Sequence, residues 1–249
     1  MLLVLLLIGL IAAPAAAQTT PPAGSAPTSI SLSLGDADGA ARMDVAVEIV
    51  LLMTLLTLAP ALLVMLTSFT RIIIVLGFLR QAMGTNQMPS NQIIIGLSLF
   101  LTFVVMGPVI QEINTNAVQP YLAEEISQQE AFSQAQGPLK EFMLGQVREK
   151  DVALFLELTD QEAPESPQDL PMLVVVPSFV LGELKMAFQI GFVLFLPFLI
   201  IDMVVASVLM SMGMMMLPPV LISLPFKILL FVLVDGWYLI VRSLVSAFQ

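Results

Sequence analysis

The side chains of this chain that could do chemistry are few, and several stand where a charge is costly. Asp202 and Asp235 lie inside apolar runs. A carboxylate at mid-bilayer depth costs about 2.5–3.5 kcal/mol on insertion scales, so it rarely persists facing lipid. Such residues serve either as a proton or ion relay or as structural contacts buried against another helix or subunit. Glu183 and Lys185, with Lys227 and Arg148, make a small set of opposite charges in or near apolar surroundings. They suit headgroup-level positions, or contacts between subunits in which desolvated pairs set register and specificity more than stability.

The other unusual stretch is Met210-Ser211-Met212-Gly213-Met214-Met215-Met216-Leu217-Pro218-Pro219, in which five of seven consecutive residues are Met. Gly213 and the proline pair prevent a continuous helix, so the methionines fall at a turn, where filling a core is not their ready use. Methionine is unbranched and polarisable and moulds itself to irregular surfaces. Copies of such a turn arranged around an axis would make a deformable apolar seal.

Most other chemistries lack residues to run them. The chain has no Cys and no His, which removes disulfides, thiolate and imidazole metal sites and the usual general base, so no metal or cofactor is expected. There is no Gly-x-x-x-x-Gly-Lys-Ser/Thr phosphate loop, and energy for any transport must come from elsewhere. A net charge of -10 with nine Lys and Arg argues against nucleic acid. Catalysis has no foothold, and the chain reads as a non-enzyme.

The elements that hold these residues follow from composition. Of 249 residues, 58% are hydrophobic and 11% charged, far from a soluble domain, so lipid or other subunits must cover the surface. Met1–Ala17 is an apolar run ending in Ala15-Ala16-Ala17 and reads as a signal peptide, although no Lys or Arg precedes it; its dozen apolar residues are too short to cross. Residues 18–41, rich in Thr, Ser, Pro and Ala, read as a flexible tail. Residues 42–110 should form a first helical hairpin. Its first arm is the 22 uncharged residues between Glu48 and Arg71, kinked at Pro60, and its second runs from Ile93 to a break at Gly107-Pro108.

Residues 111–172 are acidic, with twelve Asp and Glu against three Lys and Arg, and a helix is expected from Leu139 to Leu158, opened by Gly137-Pro138. Residues 173–249 give a second hairpin around the methionine turn. Long apolar segments must be helical to satisfy their backbone, so the fold class is an all-α membrane protein with four hydrophobic helices. A signal peptide places the mature N-terminus outside. Arg71 and Arg80 then flank a cytoplasmic loop, and the acidic region lies on the outer side.

Three stretches carry a family resemblance: LLTLAPALLVMLTSFTRIIIVLGFLRQAMGTNQMPSNQIIIGLSLFLTF from Leu55, VPSFVLGELKMAFQIGFVLFLPFLIIDMVV from Val176, and MGMMMLPPVLISLPFKILLFVLVDGW from Met212. In that order they resemble the FliP/SctR family of the type III export gate, over roughly Val45 to Phe248. The resemblance implies Pro-kinked helices in two hairpins, with five copies joining FliQ and FliR and other gate components in a helical pore. Through it unfolded export substrates would cross the bacterial inner membrane at the flagellar basal body, with much of the chain on the periplasmic side. It implies that Met214, Met215 and Met216, with Met212 and Met210, gate that pore. Phe142 and Phe155 are candidates for a second constriction, against plain helix packing. The alternative is a proton-coupled transporter or ion channel using Asp202 and Asp235, and a non-conducting membrane scaffold is a third possibility.

Overall fold

In the computed structural model, residues 39–85, 88–214 and 217–248 are described. The expected signal peptide, nearly all of the expected tail, and Met215 and Met216 lie outside them. The chain divides at Leu51 into two compact units, and the second, Leu52–Gln249, holds every candidate site residue.

The described residues are helical, with no strand among them. In order they form α1 (Gly39–Met65), α2 (Phe69–Met83), α3 (Asn91–Ile113), a π turn (Asn114–Val118), α4 (Gln119–Leu122), α5 (Gln128–Gln146) and α6 (Glu149–Leu158). A 3-10 turn (Pro167–Asp169) leads to α7 (Met172–Ser211), α8 (Pro219–Leu233) and α9 (Gly236–Ser246).

The core is built on α2, which follows the first apolar run. Its Ile72, Val75, Leu76 and Leu79 recur at i, i+3, i+4 and i+7, one helical face, and all are buried. That face meets Ala187 and Phe198 of α7, Leu101 of α3, and Ile240 and Leu244 of α9. Opposite Phe78 of α2, α7 carries Gly191. A Cβ at that position would lie 2.5 Å from Phe78 Cδ2 and 2.8 Å from its Cγ, so only glycine allows this approach.

A second cluster, Met143, Leu156, Leu170, Val174, Val175 and Phe179, fastens α5 and α6 to the first turns of α7. The acidic region is therefore a packed lobe. The single helix expected over Leu139–Leu158 is two helices, parted at Val147 and Arg148, both in extended conformation. Gly137-Pro138 does not open a helix either, since Pro138 lies inside α5. The start is Ser127, whose hydroxyl accepts from the Glu130 N–H while Glu130 Oε2 accepts from the Ser127 N–H at 2.9 Å. These bonds to Ser127 hold the Glu130 carboxyl below its ordinary pKa.

Among the described residues, two helical stretches are long and apolar enough to cross a membrane: Asn91–Leu122 at 32 residues and Met172–Ser211 at 40. The first runs straight through Gly107-Pro108, where a break was expected, and meets its irregularity further on as the π turn. The other two expected spans are divided. The first run stops at Met65, turns over 66–68 and restarts as α2, which places Arg71 in the opening turn of a helix and not in a loop. The last is bent by 63° between α8 and α9, so it counts as a third span only if the bent pair is one. Asp235 takes a left-handed conformation at the bend (φ 50°), and Gly236 presses against Phe231, where a Cβ would meet the ring at 2.2 Å.

Candidate functional site: a methionine bend and buried ion pairs

The bend between α7 and α8 is defined by its capping. Gly213 at φ 77° ends α7, its N–H donating to the Met210 carbonyl at 3.0 Å while Met214 N–H donates to the Leu209 carbonyl at 3.0 Å. These two bonds form a Schellman cap. Pro219 opens α8 at its first position, where the missing N–H costs nothing. The cap turns the methionines off the helix axis, and Met210, Met212 and Met214 are all exposed. Beside the bend, Ile200, Val204, Val208, Ile222 and Phe226 line an almost wholly apolar cleft of about 470 Å³ between α7 and α8.

Two ion pairs bind the helices behind this bend. Lys227 of α8, 3% exposed, donates to Asp202 Oδ2 at 2.6 Å and to the Ala82 carbonyl at 3.3 Å. The other oxygen, Oδ1, accepts from Ser223 Oγ at 2.5 Å. Asp202 thus has a partner on each oxygen, which suits a structural link among α2, α7 and α8 better than a relay. Asp235 belongs to no such arrangement. It is exposed at the α8–α9 bend, so the structure does not bring the two carboxylates together.

The most buried charges are Arg71 and Glu183, at 2% and 1% exposure. Arg71 Nε donates to Glu183 Oε2 at 2.8 Å, and Nη2 donates to Glu183 Oε1. Nη2 also reaches Gln146 Oε1 at 3.0 Å, and Nη1 the Ala247 carbonyl at 3.3 Å. The guanidinium carbon lies 3.8 Å from the centre of the Phe248 ring, a cation–π contact. One side chain thereby joins α2, α5, α7 and the residues after α9.

The expected contacts between subunits fall differently. Glu183, Lys227 and Arg148 find partners within the chain: Arg71 and Asp202 come from other helices, while Asp151 lies one turn on from Arg148. Lys185 alone of that set remains exposed. Phe142 is also engaged internally, edge-on to Phe179 at 5.9 Å and stacked on Phe248 at 6.2 Å. Phe155 packs half-buried on the same cluster. Within the chain both side chains pack against neighbouring helices.

Sequence reasoning missed Arg71 as a site residue, along with Gln146, Asp151, Ser223 and Phe248. Arg71 carried a signal, being a cation beside an otherwise uncharged stretch. Its partner, 112 positions away, carried none that the sequence alone could connect. Ser127-Gln-Gln-Glu130 was legible as a capping box before α5.

The chain matches the model of the FliP family over residues 52–244. It is 58% identical over 202 residues to "Flagellar biosynthetic protein FliP" of Bacillus subtilis, covering 81% of this chain and 91% of that one. The protein of that name from Caulobacter vibrioides is 51% identical over 92% of this chain and 85% of its own length, and that from Aquifex aeolicus 51% over 82% and 86%. The chain with the methionine bend and the Arg71–Glu183 pair belongs to the FliP family.

Proposed function

We propose that this protein is a pore-forming subunit of the flagellar type III export gate, conducting unfolded flagellar substrates across the bacterial inner membrane. Five copies, with FliQ and FliR, surround the passage, and other export components deliver the substrates. Two features of the chain support this reading beyond its family. Large apolar side chains are exposed along α3, α7 and α8, including Phe103, Phe188, Phe192, Val204, Leu229 and Leu233, and a soluble monomer would not tolerate them. The observation that carries the reading is the methionine bend. A capped turn puts at least three flexible apolar side chains outward at the end of the longest apolar helix. Met215 and Met216 complete the gate by sequence position. Methionine can close around a passing polypeptide or around neighbouring methionines without a fixed shape, so the seal admits a chain and excludes ions.

The relay alternative is less well supported, because Asp202 is held by Lys227 and Ser223 and Asp235 stands apart. The test replaces Met214, Met215 and Met216 by Gly in a strain lacking the native copy. Ion leakage across the inner membrane should rise while flagellar proteins are still exported. Unchanged permeability, with the variant at wild-type abundance in the membrane, overturns the gate and favours a scaffold.

A further inference from the structure

Where α6 ends, the chain turns back and leaves a groove on the lobe. Asp160, at φ 50°, donates its N–H to the Glu157 carbonyl at 3.3 Å, and Gln161 N–H donates to the Leu156 carbonyl at 3.0 Å, a Schellman cap. The residues that follow face α6 and the end of α5 across a hollow of about 530 Å³, the size of a ligand site. Val147, Val152, Leu156, Pro164 and Leu170 line it, and Leu156 and Leu170 are buried. Its far wall is fixed in place. Ser166 Oγ accepts from Gln168 N–H at 3.4 Å, the Ser166 carbonyl accepts from Asp169 N–H at 3.0 Å, and Lys140 of α5 donates to the Gln168 carbonyl. A hollow formed in advance spares an occupant the cost of ordering it.

The charged residues that line this apolar hollow are both acids, Glu149 in the first turn of α6 and Glu165 on the returning segment. Both are exposed, and among the described residues neither forms an ion pair. Their surroundings have the same sign: from Glu157 to Asp169 there are five acids and no cation. Of the lobe's three cations, Arg148 is taken by Asp151 and Lys140 by the Gln168 carbonyl, which leaves Lys150. An occupant must therefore bring apolar side chains and positive charge together. The chain's own residues 18–41 hold Asp36, Asp38 and no cation. A second copy would bring the same acidic lobe, and like fields repel. The complement is a different protein.

We propose that this groove docks a basic, apolar segment of another protein, whose large aliphatic or aromatic side chain seats on Val152, Leu156 and Leu170 while flanking Lys or Arg reach Glu149 and Glu165. The buried side chain supplies most of the affinity, and the charges at the rim select which segment binds. Every residue of the site lies on the lobe, so docking depends neither on how the long helices meet lipid nor on the methionine bend.

The full chain is purified in detergent and titrated into a dye-labelled peptide in which Leu-Phe is flanked on each side by Arg-Arg, with anisotropy as the readout. The wild type should bind it about tenfold more tightly than the peptide with Gln in place of every Arg, and the difference should shrink at high salt. Glu149→Gln/Glu165→Gln should lower that selectivity to about threefold or less. Glu125→Gln/Glu141→Gln removes two exposed acids elsewhere on the lobe and should keep it. Ala163, exposed on the groove wall, becomes a plug in Ala163→Trp, which should weaken both peptides by about tenfold. Equal binding of the two peptides by the wild type, or no binding of either, overturns the site. Equal binding of the Arg peptide by the wild type and both groove variants overturns it too. Should either groove variant dissociate an assembly of copies, measured by light scattering, the groove holds a second copy and the proposal fails.

Discussion

Removing one partner of the Arg71–Glu183 pair should cost far more than removing both. At 2% and 1% exposure, water cannot rescue the survivor. Glu183→Ala leaves a guanidinium buried with two neutral acceptors, Gln146 Oε1 and the Ala247 carbonyl, and the Phe248 ring. Breaking a buried pair from one side costs about 3–5 kcal/mol. Arg71→Met leaves a buried carboxylate and removes the bond to Gln146, for a similar loss. The double variant Arg71→Met/Glu183→Leu buries no charge. What it loses is the cation–π contact, about 2 kcal/mol when desolvated, and two acceptors that are half-buried or exposed and can turn to water. The double should therefore be destabilised by about 2–3 kcal/mol, and the cycle should show a coupling of at least about 3 kcal/mol. The measurement is unfolding of the purified chain by SDS in mixed micelles, followed by the fluorescence of its one tryptophan, Trp237. The coupling should not change between low and high salt, since ions do not screen a pair this buried. If the two single losses add to the double within about 0.5 kcal/mol, the pair is not a unit and the reasoning fails.

The Lys227–Asp202 pair should respond more mildly, because Asp202 is 31% exposed: Asp202→Asn should lower stability by no more than about 3 kcal/mol by the same measurement. Asp202→Leu/Lys227→Met should restore flagellar export, as measured by secreted flagellin, whereas a proton relay at Asp202 would leave the double variant inactive. Gly191→Ala should cost about 1–3 kcal/mol, because its methyl would enter the base of the Phe78 ring; Phe78→Leu in the same chain should recover part of that loss. The Ser127–Glu130 box should weaken in acid. The Glu130 pKa is lowered in the folded chain, so its contribution is full above the ordinary value of 4.5 and disappears as pH falls through the lowered one. Glu130→Gln should flatten the acid dependence of α5 amide exchange, and an unchanged profile would remove the box from the stability of the lobe.

What the sequence made legible was whatever a local pattern records. Apolar runs marked α3 and α7, the Gly213 and Pro218-Pro219 punctuation marked the methionine bend, and the charge imbalance marked the lobe as different in kind. Errors arose where a local signal competed with tertiary packing. Pro108 read as a break and Pro138 as a helix start, yet both lie inside helices, because proline removes one bond and neighbouring helices hold the rest. The uncharged stretch before Arg71 read as one span, yet the chain turns at 66–68, where the following face is needed for the core. Charges were harder still. Arg71 read as a loop cation that orients the protein, but its guanidinium is neutralised inside the fold, and Arg80, in the last turn of α2, is the cation left beside the loop. Glu183 and Lys227 read as reaching for other subunits because their partners lie 112 and 25 positions away, and no periodicity connects such distances.

Closing these charges inside one chain changes what assembly has to accomplish. With Arg71, Glu183, Lys227 and Asp202 satisfied internally, neighbouring subunits need supply no ion to them, and apolar area becomes the main demand the surface makes. Lipid can meet that demand only in part. Leu173 and Leu181 on α7 and Leu154 and Leu158 on α6 are exposed around the lobe, at 70%, 37%, 43% and 68%. Water is a poor cover for large aliphatic side chains exposed to this degree. The cover there must be polypeptide. The lobe is acidic as well as greasy, so the cover has to bring cations at its rim, while deeper in the membrane an apolar face is enough. The lobe and the apolar helices thus ask for different covers, and the methionine bend lies at the far end of α7 from the lobe.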